Sequence, residues 1–144
     1  MNNFDKSLFI LFLCATWSLG ARGADTPQSA DAMFKECSVS LSTAEQRDCL
    51  PLVLKKSEAE LVSAEKKERA SMAELEKISE GSRKLRPVRA FDRAAKAFRA
   101  YRDSECNRVL TSYGSGNGGG IAFWECKIKM NLERASKLNS ERNN

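Results

Sequence analysis

A chain of 144 residues with 24 Lys and Arg, 19 Asp and Glu and no histidine carries a formal charge of +5 at pH 7. That length suits a single domain, and the missing histidine removes the commonest general base, metal ligand and near-neutral pH switch. Basic residues are interleaved with acids except at Arg83 to Arg89, so the positive balance does not describe a nucleic-acid-binding face.

The chain opens with Lys6, an almost unbroken apolar run from Ser7 to Leu19, and Ala21-Arg22-Gly23. A weakly basic start, a short apolar core and small residues two positions apart predict a secretory signal peptide, here residues 1–23. The run falls short of the roughly 20 residues that span a bilayer, so no stable membrane insertion is expected after cleavage. Cys14 follows Leu11-Phe12-Leu13 rather than small residues, which argues against lipid attachment there. Loss of residues 1–23 removes Lys6, Arg22 and Asp5 and leaves +4. Cys37, Cys49, Cys106 and Cys126 remain, an even set that in an exported chain predicts disulfides. A four-cysteine zinc site would want close C-x2-C pairs, which the spacing lacks, so neither a metal nor a cofactor is expected. Local pairing, Cys37 with Cys49 and Cys106 with Cys126, is expected over the crossed connectivities; each closed loop is worth about 3 kcal/mol in the chain-entropy picture.

Residues 24–33 are small and polar with Pro27 and are expected to form a loose leader before a domain over 34–140, with 141–144 as a polar tail. Ser42-Thr43-Ala44-Glu45 has capping-box spacing and predicts a short helix through Cys49. Pro51 suits a helix start, which predicts a bend at Cys49-Leu50 and a long helix from Pro51 to about Ser79. Its seam runs Leu54, Ser57, Leu61, Ala64, Glu68, Ser71, Leu75 and Ile78 in steps of three and four. Gly81 is the expected C-terminal cap, Arg83 to Arg89 a basic linker, and Pro87 the next helix start. Phe91, Ala94, Ala95, Phe98, Tyr101, Arg102, Glu105 and Val109 trace one face of that helix. A third long helix is expected from Ile121 to about Leu138, with Cys126, Met130, Arg134 and Leu138 on one stripe. No stretch alternates with period two long enough to argue a strand. The expected fold is all-α: an antiparallel, disulfide-linked bundle of three longer helices and a short N-terminal one.

Ser112 to Gly120 is the most unusual segment. Gly114 to Gly119 has the span of a phosphate-binding loop, but Gly120 and Ile121 stand where Lys and Ser or Thr are required. As a connection the segment is a flexible linker. As a site it is a backbone-rich finger for a partner's cleft, with Tyr113, Ser115, Asn117 and Trp124 as its contacts. Arg102 and Arg134 lie on stripes with apolar residues, where a buried guanidinium needs a carboxylate. Asp103 and Glu105 are the nearest candidates, which predicts a structural ion-pair network of Arg102, Asp103, Glu105 and Arg134. No carboxylate pair is marked out for separate tuning, so no catalytic residue is assigned.

Phe34-Lys-Glu-Cys37 to Arg47-Asp48-Cys49, then Phe98-Arg-Ala-Tyr101-Arg102-Asp103-Ser-Glu105-Cys106, a glycine-serine loop, Cys126, Arg134 and Leu138, together resemble the lysozyme inhibitor LprI-like domain family of small exported bacterial proteins. The resemblance implies a helical, disulfide-linked protein of the periplasm or the secreted fraction. It further implies a non-enzymatic protein-binding module whose partner is a lysozyme-type or other cell-wall-degrading enzyme. The alternative is a structural or envelope-maintenance protein without an enzyme target.

Overall fold

Two serines set the first two helix starts. The computed structural model describes residues 28–142; the expected signal peptide lies outside them. In α1 (Ala30–Ser40) the Ser29 hydroxyl accepts the Ala32 N–H. In α2 (Thr43–Ile78) the capping box forms as its spacing requires, with the Glu45 carboxylate accepting the Ser42 N–H at 2.8 Å and the Ser42 hydroxyl accepting the Glu45 N–H. The short N-terminal helix is therefore α1, which begins inside the stretch expected to be a loose leader. Segment 42–49 is instead the first part of the long helix.

Pro51 does not break that helix. It removes the bond to the Arg47 carbonyl, but Leu50 and Val53 beside it are almost wholly buried. Burying such side chains gives about 1.5–3 kcal/mol each, enough to offset an interior proline. The Cys37–Cys49 disulfide ties the same turn to α1 with the Cα atoms 6.1 Å apart.

The expected stop at Gly81 moves to Ser79, which leaves α2 in extended conformation and caps α3 (Glu80–Leu85), its hydroxyl accepting the Ser82 N–H at 3.0 Å. The first part of the supposed linker is thus a short helix. Arg86, at φ 52, takes the left-handed turn, because a residue before proline is disfavoured from continuing a helix. Pro87 then opens α4 (Pro87–Ser112), and α5 runs Gly119–Arg142, past the fading point expected after Leu138. Among the described residues there is no strand, and the fold is all-α.

Pairings fix the layout. Glu60 accepts from the Ala30 N–H at 2.9 Å while Cys37 meets Cys49, so α1 runs antiparallel to α2. Arg69 with Asp92, Arg99 with Glu65, and Arg102 with Glu58 align α4 antiparallel to α2. Asn131 bonds Ser57 and Leu138 packs with Leu61 and Ala64, so α5 lies parallel to α2. The two parallel helices share the most extensive contact, with α1 and α4 docked against them.

The core divides in two. Cys37, Leu50, Val53 and Ile128 form one buried cluster, flanked by Met33, Phe34, Ile121 and Trp124. Leu61, Ala64, Ala135 and Leu138 form the other, flanked by Phe91 and Phe98. Ser57, Asn131 and Arg102, all buried, make a polar layer between them. The α2 seam follows the expected register through Ser57, Leu61 and Ala64. It then runs out: Leu75 and Ile78 are exposed. On α5 the buried stripe is Ile128, Asn131, Ala135 and Leu138, not Cys126, Met130, Arg134 and Leu138. The two stripes share Leu138, but the rest of the face turns toward α2, the helix with which α5 makes most contact.

Candidate partner-binding end

Both disulfides lie toward one end of the bundle. Cys37–Cys49 fastens α1 to α2, and Cys106–Cys126, with Cα atoms 5.5 Å apart, fastens α4 to α5. The pairing is the local one. Between α4 and α5 the chain turns in residues 113–118, since Ser112 is still helical and Gly119 already is. The glycine-rich stretch is therefore shorter as a loop than as a sequence, and it is braced rather than free.

Gly114 sits at φ +54, a left-handed position that favours glycine. At Gly118 an added Cβ would lie 3.0 Å from the Tyr113 ring, and at Gly119 3.1 Å from the Leu110 carbonyl. Chain and ring are thus closely apposed: the loop folds back on Tyr113. The Arg47 guanidinium donates to the Asn117 carbonyl at 3.3 Å, joining the loop to the first turns of α2. Arg47 stands in the motif that carries the family resemblance, but its role as a brace is not legible there, because an exposed arginine on a capped helix carries no mark of a contact 70 positions away in the chain.

The four expected contact residues separate. Tyr113, Ser115 and Asn117 are exposed on the loop, with Tyr113 at 48%. Trp124 is half-buried against the first core cluster and supports the end from within. No charged residue occurs between Arg108 and Glu125. The result is a turn without charges of its own, braced by Arg47, presenting an aromatic ring and backbone polar groups.

The expected ion-pair network also divides. Arg102 donates to Asn131 at 2.7 Å and to Asp103 at 3.0 Å, with Glu58 3.8 Å away. Lys127 reaches Asp103 at 3.2 Å. Burial alone would raise the Asp103 carboxyl, but hydrogen bonds and charge from Arg102 and Lys127 outweigh it and hold the group below its ordinary value. Glu105 turns outward to Arg108, whose hydrogen bond lowers its pKa. Arg134 joins neither carboxylate: its guanidinium stacks over the Phe98 ring at 5.6 Å, with Nε buried and unbonded. The reason is position along the helix: Asn131 meets Arg102, while Arg134, three residues on, lies about 4.5 Å further along α5, beside Phe98. Asn131 and Ser57 were missed as a pair, although a serine on an apolar seam is a visible irregularity.

The displaced carboxyls Glu45, Asp103 and Glu105 all go down, opposite to the shift that makes a general acid. Among the described residues no cluster of Cys, Asp and Glu is placed to hold a metal ion, and no helix is long and apolar enough to cross a membrane.

In comparison with known families, the family described as "Lysozyme inhibitor LprI" matches residues 36–138. No curated protein and no solved structure matches the chain.

Proposed function

The chain belongs to the lysozyme inhibitor LprI family, and from that premise we propose that it is an exported inhibitor that plugs the cleft of a lysozyme-type or other cell-wall-degrading enzyme with its 113–118 turn. The observation that carries this reading is the rigidity of the end: two disulfides and the Arg47–Asn117 bond hold the turn and Tyr113 in place before any partner arrives. Preorganisation lowers the ordering cost of binding, and a central aromatic residue is the usual energetic anchor.

Charge is consistent with a contact of this kind. A basic chain gains no long-range attraction toward a basic lysozyme. Residues 113–118 carry no charge of their own and the cation beside them is Arg47, engaged at the Asn117 carbonyl, so affinity comes from fit. Export is part of the proposal: disulfides persist in oxidising compartments, and residues 1–23 read as the signal that would deliver the chain to the periplasm or beyond.

The test is the clearing of a bacterial cell-wall suspension by several lytic enzymes, with and without the purified protein. The protein is expected to slow at least one of them, and Tyr113→Ala to weaken inhibition by about tenfold or more with an unchanged melting temperature. No slowing at molar excess against any of the enzymes discards the inhibitor reading in favour of a structural envelope role.

A further inference from the structure

The opposite end of the molecule has no disulfide and is rich in charge. With 36 residues in α2 and about 1.5 Å of rise for each, Ile78 lies roughly 50 Å along the helix from the capping box. Beyond the second core cluster the α2–α4 hairpin continues without a disulfide, held by Arg69 to Asp92 at 2.8 Å and by the Val88 N–H to Glu76 at 3.1 Å. The helix α3 at its turn packs chiefly on α2.

Two large aliphatic side chains stand in water here, Ile78 at 74% exposure and Leu85 at 80%. Around them the chain is strongly basic: Lys77, Arg83, Lys84, Arg86 and Arg89 against Glu80 between residues 77 and 89. The nearby acids are already engaged, Glu74 by Lys77, Glu80 by Lys84, and Glu76 by the Val88 N–H. Arg83, Arg86 and Arg89 have no carboxylate partner among the described residues. Arg86 is also the non-glycine residue held at positive φ, at the turn into α4.

We propose that this hairpin tip docks reversibly on an anionic phospholipid surface, the free arginines meeting the headgroup phosphates while Ile78 and Leu85 enter the headgroup–acyl boundary. Basic residues draw a segment to such a surface and exposed aliphatic ones hold it there. The partner follows from the combination. Arginines alone would fit any polyanion, but aliphatic side chains among them gain by leaving water for hydrocarbon and gain nothing on a nucleic-acid backbone. Docked in this way the molecule would carry its cross-linked end away from the surface, where a soluble enzyme could reach it. The inference does not rest on the identity of that enzyme.

Co-sedimentation of the purified protein with vesicles tests it, using phosphatidylglycerol mixed with phosphatidylcholine against phosphatidylcholine alone. Binding is expected only to the anionic vesicles and should weaken as salt is raised. Arg83→Gln, Arg86→Gly and Arg89→Gln combined should lower the partition about a hundredfold, each charge counting for roughly fivefold. Ile78→Asn with Leu85→Asn should lower it by about tenfold or more. Circular dichroism establishes that the variants remain helical, and the salt dependence of the unaltered protein is a readout that needs no variant. Equal binding to both vesicle types, no binding at low salt, or binding indifferent to both sets of substitutions would overturn the proposal. Retention of the protein by an acidic polypeptide or by nucleic acid, with no retention by anionic vesicles, would also overturn it and give the tip a different partner.

Discussion

The Arg102 guanidinium donates to the Asn131 side-chain carbonyl at 2.7 Å, and the Asn131 amide donates onward to the Ser57 hydroxyl at 3.1 Å. One chain of bonds thereby crosses α4, α5 and α2 between two apolar clusters. Ser57 completes it by donating to the Leu54 carbonyl at 2.8 Å. Any sliding of one helix along another would leave a charge or an amide buried without a partner, so this layer fixes the register of the three long helices.

Its energetics are testable by a double-mutant cycle. Asn131→Leu leaves a buried guanidinium short of an acceptor and is expected to cost about 3 kcal/mol; Arg102→Met leaves the Asn131 side-chain carbonyl without its donor and should cost about 2 kcal/mol. Combined, they leave Ser57, still bonded to the Leu54 carbonyl, as the one polar side chain of the layer, and should cost at least about 1 kcal/mol less than the sum. Urea unfolding measures all three. Strict additivity would mean that the layer does not act as a unit.

Acid stability should report Asp103. Its folded pKa is depressed by Arg102 and Lys127 against the opposing effect of burial. The carboxylate therefore contributes stability at pH values above its unfolded pKa of about 3.9, and that contribution is lost as pH falls through the lower folded value. Asp103→Asn removes the titration. The melting-temperature gap between parent and variant should be widest near neutrality and close below about pH 4, as thermal melts across the acid range will reveal.

Arg134 provides a contrast with Arg102. Stacked on Phe98 and without a carboxylate, it is expected to contribute only about 1 kcal/mol through cation–π attraction and the packing of its stem. Arg134→Ala should thus lower the melting temperature by less than Asn131→Leu does. The reverse order would assign Arg134 a partner that its geometry lacks.

Removing either disulfide should destabilise the protein by about 3 kcal/mol, given the short loops they close. Replacing Cys106 and Cys126 by serine should in addition weaken inhibition of the target enzyme, because that bond forms the base of the 113–118 turn. Lytic assays on the variant at a temperature where it remains folded separate loosening of the turn from unfolding.

Much of the local structure is written in short-range chemistry. The Ser42–Glu45 capping box, the start of α4 at Pro87, the apolar seam through Leu61 and Ala64, and the α4 face through Ala95, Phe98 and Arg102 depend on residues within a turn or two of each other. Sequence spacing is a good guide at that range. It served less well at Pro51 and Gly81. A proline is tolerated when its neighbours Leu50 and Val53 are buried, and a glycine is no cap when Ser79 and Pro87 set the ends.

The amino-acid sequence by itself determined an all-helical chain, its cysteine content, and an uncharged glycine-rich turn between two basic-acidic helices, because periodicity, capping and composition act locally. Only the tertiary structure decided that Asn131 rather than Arg134 faces Arg102, that Arg47 braces the turn at Asn117, and that Ile78 and Leu85 are left in water. Each of those outcomes depends on how far one element extends along another and on the rotation it takes there, which packing across the whole chain sets. A shift of one position swings a side chain by about 100°, and the total burial across all helices selects that rotation.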